Sequence, residues 1–511
     1  MSERVHKSVL NAEVNLIFYF LTLFLAFFSR KIFLDCLGTE FIGLTGTLGN
    51  ILGYLNLAEF GITASVGYFL FKPLQTNNHQ EIQEILSVLG YLYNRIGFII
   101  LTGGMIISLF FPFFFSNTNL DLGIIYFAFY SFLGSSLIGY FINYRQTLLS
   151  ADQKNYIVAI YFQSANILRI ILQIFLAYYY RNLYLWVGVE FLFGIIGCII
   201  LNWKINKEYP WLHVEKENGH YLIKKYPEII AKTKQVFIHK IKDFVLVKSD
   251  ELFIFLFVSL KMVAYYGNYM IVISKLISLF YSITGSIGAS IGNLVAEGDN
   301  DKMMKVFWEL TTIQHTVAAI LSFALYSFLE PFIAHWLGTD YIMDHRILIL
   351  LILYIYITNS RQSVDGFNFA HGLYADVWSA WTELGINITV TLAAGYYWGI
   401  SGILLGKIVS TFLIIVIWKP YYLFHSGLHE SYFKYWQGAV RNYGVSIVSI
   451  ISAHYCVSII SVNNNGYSDL IIYCLIGSAI FLTINSTLNI IFCKGARDCF
   501  LRIRNLFNIR K

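Results

Sequence analysis

The residues in this chain most able to do chemistry are ionisable groups set inside long apolar runs. A charge held in lipid costs several kcal/mol unless it faces water or a partner, so each marks a candidate site. In "FQSANILRIILQ" Gln163, Asn166, Arg169 and Gln173 recur at steps of three and four, which places them on one helical face. Similar polar stripes run through Asn15, Tyr19, Thr22 and Ser29, through Asn268, Lys275, Ser278 and Ser282, and through Asp376, Ser379, Glu383 and Asn387. "TNSRQSVDGFNFA" sets Arg361 and Asp365 one turn apart, with Asn368 beneath. Stripes on several helices are what lining a shared wet cavity requires. Arg30, Arg95, Arg169, Lys275 and Arg361 are its candidate cations, with Gln163 and Asn166 beside them. A guanidinium matches phosphate oxygens in a two-pronged way that an ammonium cannot. In the first half the only evident carboxylates inside apolar runs are Glu59 and Glu190, so excess positive charge there points to an anionic ligand. The acids concentrate later, at Asp250, Glu251, Asp365, Asp376 and Glu383. A carboxylate in such surroundings carries a proton or coordinates a cation such as Na⁺, so Asp250, Asp365, Glu383 and Asn387 are candidate coupling-ion residues. Blander readings stand beside these. Amides and hydroxyls glue helices together, Arg361 and Asp365 can pair within one helix, and Asp250 and Glu251 can pair with Lys248 or Lys242 at the mouth of their helix.

The elements that position these groups are membrane spans. The chain has 511 residues, 57% hydrophobic, 18% aromatic and 13% charged, more apolar surface than a soluble domain needs. The runs are helix-length and never alternate, which excludes a β-barrel. Fourteen spans are expected: 14 to 34, 41 to 71, 86 to 115, 121 to 143, 156 to 178, 184 to 203, 244 to 262, 265 to 295, 306 to 333, 346 to 370, 377 to 397, 400 to 424, 443 to 461 and 469 to 493. The second and eighth exceed a bilayer and carry glycines that permit a bend. The start has a short basic head but no cleavage site, so it reads as the first retained span.

Of the 36 Lys and Arg, 25 fall on the side of the N-terminus and at most five opposite, namely Arg30, Lys31, Arg181, Lys261 and Arg346. Both termini are therefore expected in the cytoplasm. Lys31 reads as a side chain reaching outer headgroups, and Arg30, next to Ser29, as facing either cavity or lipid. The basic segment 204–243 reads as a connector whose charge lies against anionic lipid, with no motif for nucleic acid. Six scattered cysteines and the lone pair His425 and His429 give no metal or redox motif, and no cofactor signature is present. A shift of 224 residues lays Gly43 over Gly267, Leu52 over Leu276, Leu55 over Leu279 and Gly61 over Gly285, a weak repeat that supports two halves.

"CLGTEFIGLTGTLGNILGYLNLAEFGITASV", residues 36 to 66, and "SIGASIGNLVAEGDNDKM", residues 286 to 303, resemble stretches of the polysaccharide-type flippases of the multidrug/oligosaccharidyl-lipid/polysaccharide (MOP) exporter superfamily. Wzx-type flippases of O-antigen and capsule repeat units look nearer than multidrug extruders or lipid II flippases. The resemblance implies an all-α membrane protein of two six-helix lobes plus two further helices, working by alternating access on a lipid-linked oligosaccharide, coupled to Na⁺ or H⁺. Its partners would be that substrate, membrane lipid and polysaccharide-assembly proteins, in a bacterial inner membrane. The lobes would be 1–203 and 244–425, joined by the loop 204–243 and followed by spans at 426–493 and a basic tail at 494–511. By position in this architecture Arg30, Arg95 and Arg169 would hold the carrier pyrophosphate, while Ser249 and Asp250 resemble a hydroxyl-acid pair that opens span seven. Rival readings are a multidrug/cation antiporter, or a membrane glycosyltransferase or polymerase. The short outer loops argue against an enzyme working outside the membrane.

Overall fold

The computed structural model describes residues 3–59, 62–152, 154–284, 291, 294–295, 298–373, 376–459 and 466–509. Every regular element among them is helical. Ten helices among the described residues are long and apolar enough to cross a membrane. Spans eleven and twelve count there as one continuous stretch, Trp378–Gly427, and spans two, seven and eight fall short of that standard. The chain forms two compact units, Met1–Ala264 and Tyr265–Lys511.

Several helices start where a short polar side chain accepts from the first free amides, as expected of good N-caps. Asn78 takes the Glu81 amide at 3.3 Å, Asp121 that of Gly123 at 2.9 Å, Asn182 that of Leu185 at 3.1 Å and Asp344 that of Arg346 at 2.8 Å.

The first unit departs from the expected spans in two places. The bend that the overlong span two permits is a full interruption. The span breaks into Thr39–Leu55, a tight turn Asn56–Glu59 and a second helix Ile62–Gln75. The segment 204–243 is not a loose loop. Span six runs on as Leu183–Glu208, a short helix Gly219–Lys225 follows, and Pro227–Phe257 is one helix that enters span seven from well outside it. This segment folds back on helix His79–Ser108, where Gln83 Nε2 donates to the Trp211 carbonyl at 2.6 Å and Lys225 meets Glu84 at 2.5 Å. Lys216 donates to the Phe141 carbonyl at 2.7 Å, at the end of helix Leu122–Phe141 where carbonyls lack helical partners. Burial there, with the Arg145 guanidinium close by, pulls its ammonium below the usual lysine range. Lys154 behaves oppositely. Burial pulls it down, but Asp152 at 2.8 Å and Glu208 at 3.0 Å outweigh that and raise it. Within the segment expected to lie on lipid, Lys216 and Lys225 are thus engaged by protein groups of the first unit.

Helix Pro227–Phe257 packs against both halves of span two and lies within the first compact unit. The approach is close. A Cβ on Gly43 would lie 1.9 Å from the Leu260 carbonyl oxygen, a backbone atom that cannot yield. Part of the "FIGLTGTLG" pattern is therefore a packing requirement.

In the second unit helix Asn300–Trp336 is central, packed by His345–Ser360, Tyr432–Ile459, Tyr467–Phe492 and the tail helix Lys494–Ile509. Phe307, Phe367, Phe424 and Tyr435 form one core cluster and Phe323, Phe328 and Phe481 another. The tail is not free, since Arg502 pairs with buried Glu309 at 2.8 Å. Span eight is helical as Leu260–Thr284; its remainder, Gly285 of the repeat included, lies mostly outside the described residues. Spans eleven and twelve form a tight hairpin at Gly399, whose φ of 54° suits glycine. A Cβ on Gly402 would lie 2.0 Å from the Ala394 carbonyl oxygen, so small residues let the two backbones meet.

Candidate functional site

Arg169, on helix Ser164–Tyr180, forms an ion pair with Glu190 on helix Leu183–Glu208, each side chain 22% exposed. Gln173 Nε2 donates to the second oxygen of Glu190 at 3.0 Å and to the Trp186 carbonyl at 3.1 Å. Arg169 is thus a compensated cation, not the uncompensated charge its surroundings in sequence suggested. The carboxylate that neutralises it comes from the neighbouring antiparallel span. Its Nε–H is buried without a partner among the described residues, which leaves one donor uncommitted. Asn166 donates to Gln163 at 3.3 Å, and both are half-buried just after a widened turn at Ala159–Gln163. The stripe read from spacing thus holds two hydrogen-bonded groups, Gln163 with Asn166 and Arg169 with Gln173 through Glu190.

Arg30 is half-buried, and its Nη2 donates to the Ala264 carbonyl at 3.0 Å. Glu251 lies within electrostatic reach of Arg30 and Lys248, and accepts from Asn50 Nδ2 at 2.5 Å. Ser249 and Asp250, both buried, sit beside the Tyr54 phenol, which Ser249 hydrogen-bonds. The first unit thus gathers Arg30, Asn50, Tyr54, Ser249, Asp250 and Glu251 where spans one, two and seven meet. Sequence reasoning named the cation and the acids but missed Asn50 and Tyr54. Their signal was available: both stand four apart on the helix face that carries Gly46 and Gly53. Lys242 carries no described side chain, so its pairing with these acids lies outside the described residues.

Arg95 is exposed, with its guanidinium 5.4 Å from the centre of the Tyr91 ring. Nothing brings it to Arg169 or Arg30. Glu59, passed over as a bare count, sits at the break in span two and accepts from Tyr93 at 2.7 Å.

In the second unit Arg361 and Asp365 pair at 3.1 Å within one turn, 28% and 39% exposed. Asp376 is sequestered by Lys419 at 2.8 Å, Ser379 at 2.9 Å and the Trp418 indole at 3.0 Å. One and two turns on from Ser379, Glu383 and Asn387 are buried, and both polar side-chain atoms of Asn387 lack a hydrogen-bond partner among the described residues. Across the hairpin Lys407 is buried too, 4.9 Å from the Tyr354 ring. A buried amide left unpaired costs about 1–3 kcal/mol, so a polar group or ion at this place would be stabilising. Lys275 is half-buried, while Asn15 and Ser282 carry no described side chains.

These features define a multi-pass helical membrane protein with buried charged and amide groups in both units. No protein-family model matches the chain, and no curated protein matches it. Among solved structures it is similar to lipid II flippase MurJ in an inward closed conformation, with 15% identity over 93% of this chain and 98% of that one and a TM-score of 0.64. It is also similar to an inward-facing multidrug resistance MATE family transporter of the MOP superfamily, with 12% identity over 81% and 95% and a TM-score of 0.57. Likeness of this extent, with identity this low, establishes that the chain has the fold these transporters share.

Proposed function

We propose that this protein is a transporter that flips undecaprenyl-pyrophosphate-linked oligosaccharide repeat units from the inner to the outer leaflet of a bacterial inner membrane. The observation that carries the reading is the match to a lipid II flippase over nearly the whole of both chains, which makes a lipid-linked glycan the first substrate class to try. The half-buried guanidinium groups of Arg30 and Arg169 in the first unit suit the anionic end of such a lipid. Arg169 has an Nε–H without a partner among the described residues to offer a phosphate oxygen, and Arg30 lies on the same unit with its Nη2 on the Ala264 carbonyl. Exchange of the carboxylate of Glu190 for a phosphate would let Arg169 respond to substrate. Binding alone moves nothing, so ligand and ion must favour different states. Asp250 in the first unit and Glu383 with Asn387 in the second are the ion-responsive candidates, for Na⁺ or H⁺.

The test is reconstitution in liposomes with a labelled lipid-linked sugar, following its appearance intact in the opposite leaflet. Transport by the native protein and none by inserted, folded Arg169→Ala supports the reading. Equal transport by both overturns the site, and no transport of the lipid by the native protein overturns the function. The likeness to a multidrug transporter supports a second reading, export of an organic cation, and the same liposomes loaded with a fluorescent cation discriminate it.

A further inference from the structure

Outside the groups already assigned, the second unit holds a cleft where helices Asn300–Trp336, Tyr432–Ile459 and the start of the tail helix meet. It encloses about 320 Å³ and is lined by Arg441 and Lys494 together with Gln437, Thr312 and Asn442. Lys434 also reaches it but is held by Glu430 at 2.6 Å. Arg441 and Lys494 are both exposed and form no ion pair among the described residues. Thr312 Oγ1 and Asn442 Oδ1, on residues 4% and 3% exposed, are buried there without partners among the described residues. A second cleft of about 240 Å³ adjoins the first through Arg441 and is otherwise apolar, lined by Gly444, Val445, Val448, Leu488 and Phe492.

We propose that the paired clefts bind an anionic phospholipid of the bilayer, its phosphate between Arg441 and Lys494 and an acyl chain along Val445, Val448 and Leu488. Two uncompensated cations select an anion, which a zwitterionic headgroup does not supply in net charge. The apolar continuation asks for a chain joined to that anion, which free phosphate lacks. The Thr312 hydroxyl suits a phosphate oxygen as donor, and Asn442 Oδ1, its Nδ2 already given to the Gly438 carbonyl at 3.0 Å, suits a headgroup hydroxyl as acceptor. The site sits at the end of spans thirteen and fourteen that carries the basic tail, where the charge count expects the anionic inner leaflet. It is independent of the substrate reading, since it uses neither Arg30 nor Arg169.

Native mass spectrometry of the full chain in detergent, titrated with phosphatidylglycerol or phosphatidylcholine, tests it. The native protein should retain phosphatidylglycerol in preference. Arg441→Gln with Lys494→Gln should weaken that retention roughly tenfold or more and leave phosphatidylcholine unchanged. Gly444→Leu should block retention with both cations in place, because a Cβ at Gly444 meets nothing within 4 Å and the added side chain fills the groove without strain. If the double variant fails to fold, Gly444→Leu carries the test alone. Equal retention of the two lipids by the native protein, or unchanged retention in Gly444→Leu, overturns the proposal. So does displacement of phosphatidylglycerol by a polyprenyl phosphate, which would make the cleft part of the transported lipid's route.

Discussion

Two ion pairs of the same chemistry sit in the two units, and they differ in almost every physical respect. Arg361 and Asp365 lie four residues apart in one stretch of chain, bridge the break between helices His345–Ser360 and Gln362–Ala370, and remain about a third exposed. Arg169 and Glu190 lie on different spans, are more deeply buried, and share Gln173 as a third member. An exposed pair at helical spacing contributes a few tenths of a kcal/mol. Breaking a buried pair leaves a charge in low dielectric and costs far more than the pair contributes. The lesson is that a charge readily paired within its own helix is the weaker sign of a site. The charge whose partner must come from elsewhere in the fold is the one whose environment is tuned.

The comparison breaks most sharply on Arg169→Ala, which should reduce transport of the labelled lipid-linked sugar to that of empty liposomes. Detergent melting of the same variant should report a loss of about 2–3 kcal/mol, the low end for a buried pair because some water reaches it. Replacing both partners, Arg169→Leu with Glu190→Leu, should restore stability to within about 1 kcal/mol of native while transport stays absent. Recovery of transport in that double variant would show the pair to be structural only. Next in size is Asn387→Leu, which removes an unpaired buried amide. It should hold or raise stability by about 1 kcal/mol, and if Asn387 serves the coupling ion the dependence of transport on Na⁺ or pH should vanish with it. Smallest is Arg361→Ala, expected to shift stability by about 0.5 kcal/mol or less and to leave transport within about twofold. A collapse of transport there would overturn the distinction between the two pairs.

The all-helical membrane class was legible because a backbone in lipid must satisfy itself, and apolar helix-length runs record that directly. Two features were less legible. Span two reads as one overlong run, since Asn56 and Glu59 look like ordinary polar interruptions, yet they form the turn that splits it. The segment 204–243 reads as a loop by its charge, although Pro227 is placed where a helix tolerates proline and starts the helix that becomes span seven. At the sites, the Gln163 to Gln173 stripe was visible because helical spacing is local. The Glu190 partner of Arg169, 21 residues away, and the Ala264 carbonyl that holds Arg30, 234 residues away, were not. Local periodicity says which face a side chain is on, and only packing says what meets that face.

The hairpin at Gly399 has a consequence for how the protein is made. Spans eleven and twelve are joined by a single non-helical residue, with Gly402 and Gly406 pressed against the backbone of the opposite arm. There is no polar loop between them to be carried through the insertion machinery by itself. A hairpin so closed is expected to enter lipid with both arms together. Lys407 and Glu383 are buried on opposite arms, and the Tyr354 ring 4.9 Å from Lys407 belongs to helix His345–Ser360, so the shelter of this charge depends on packing beyond the hairpin.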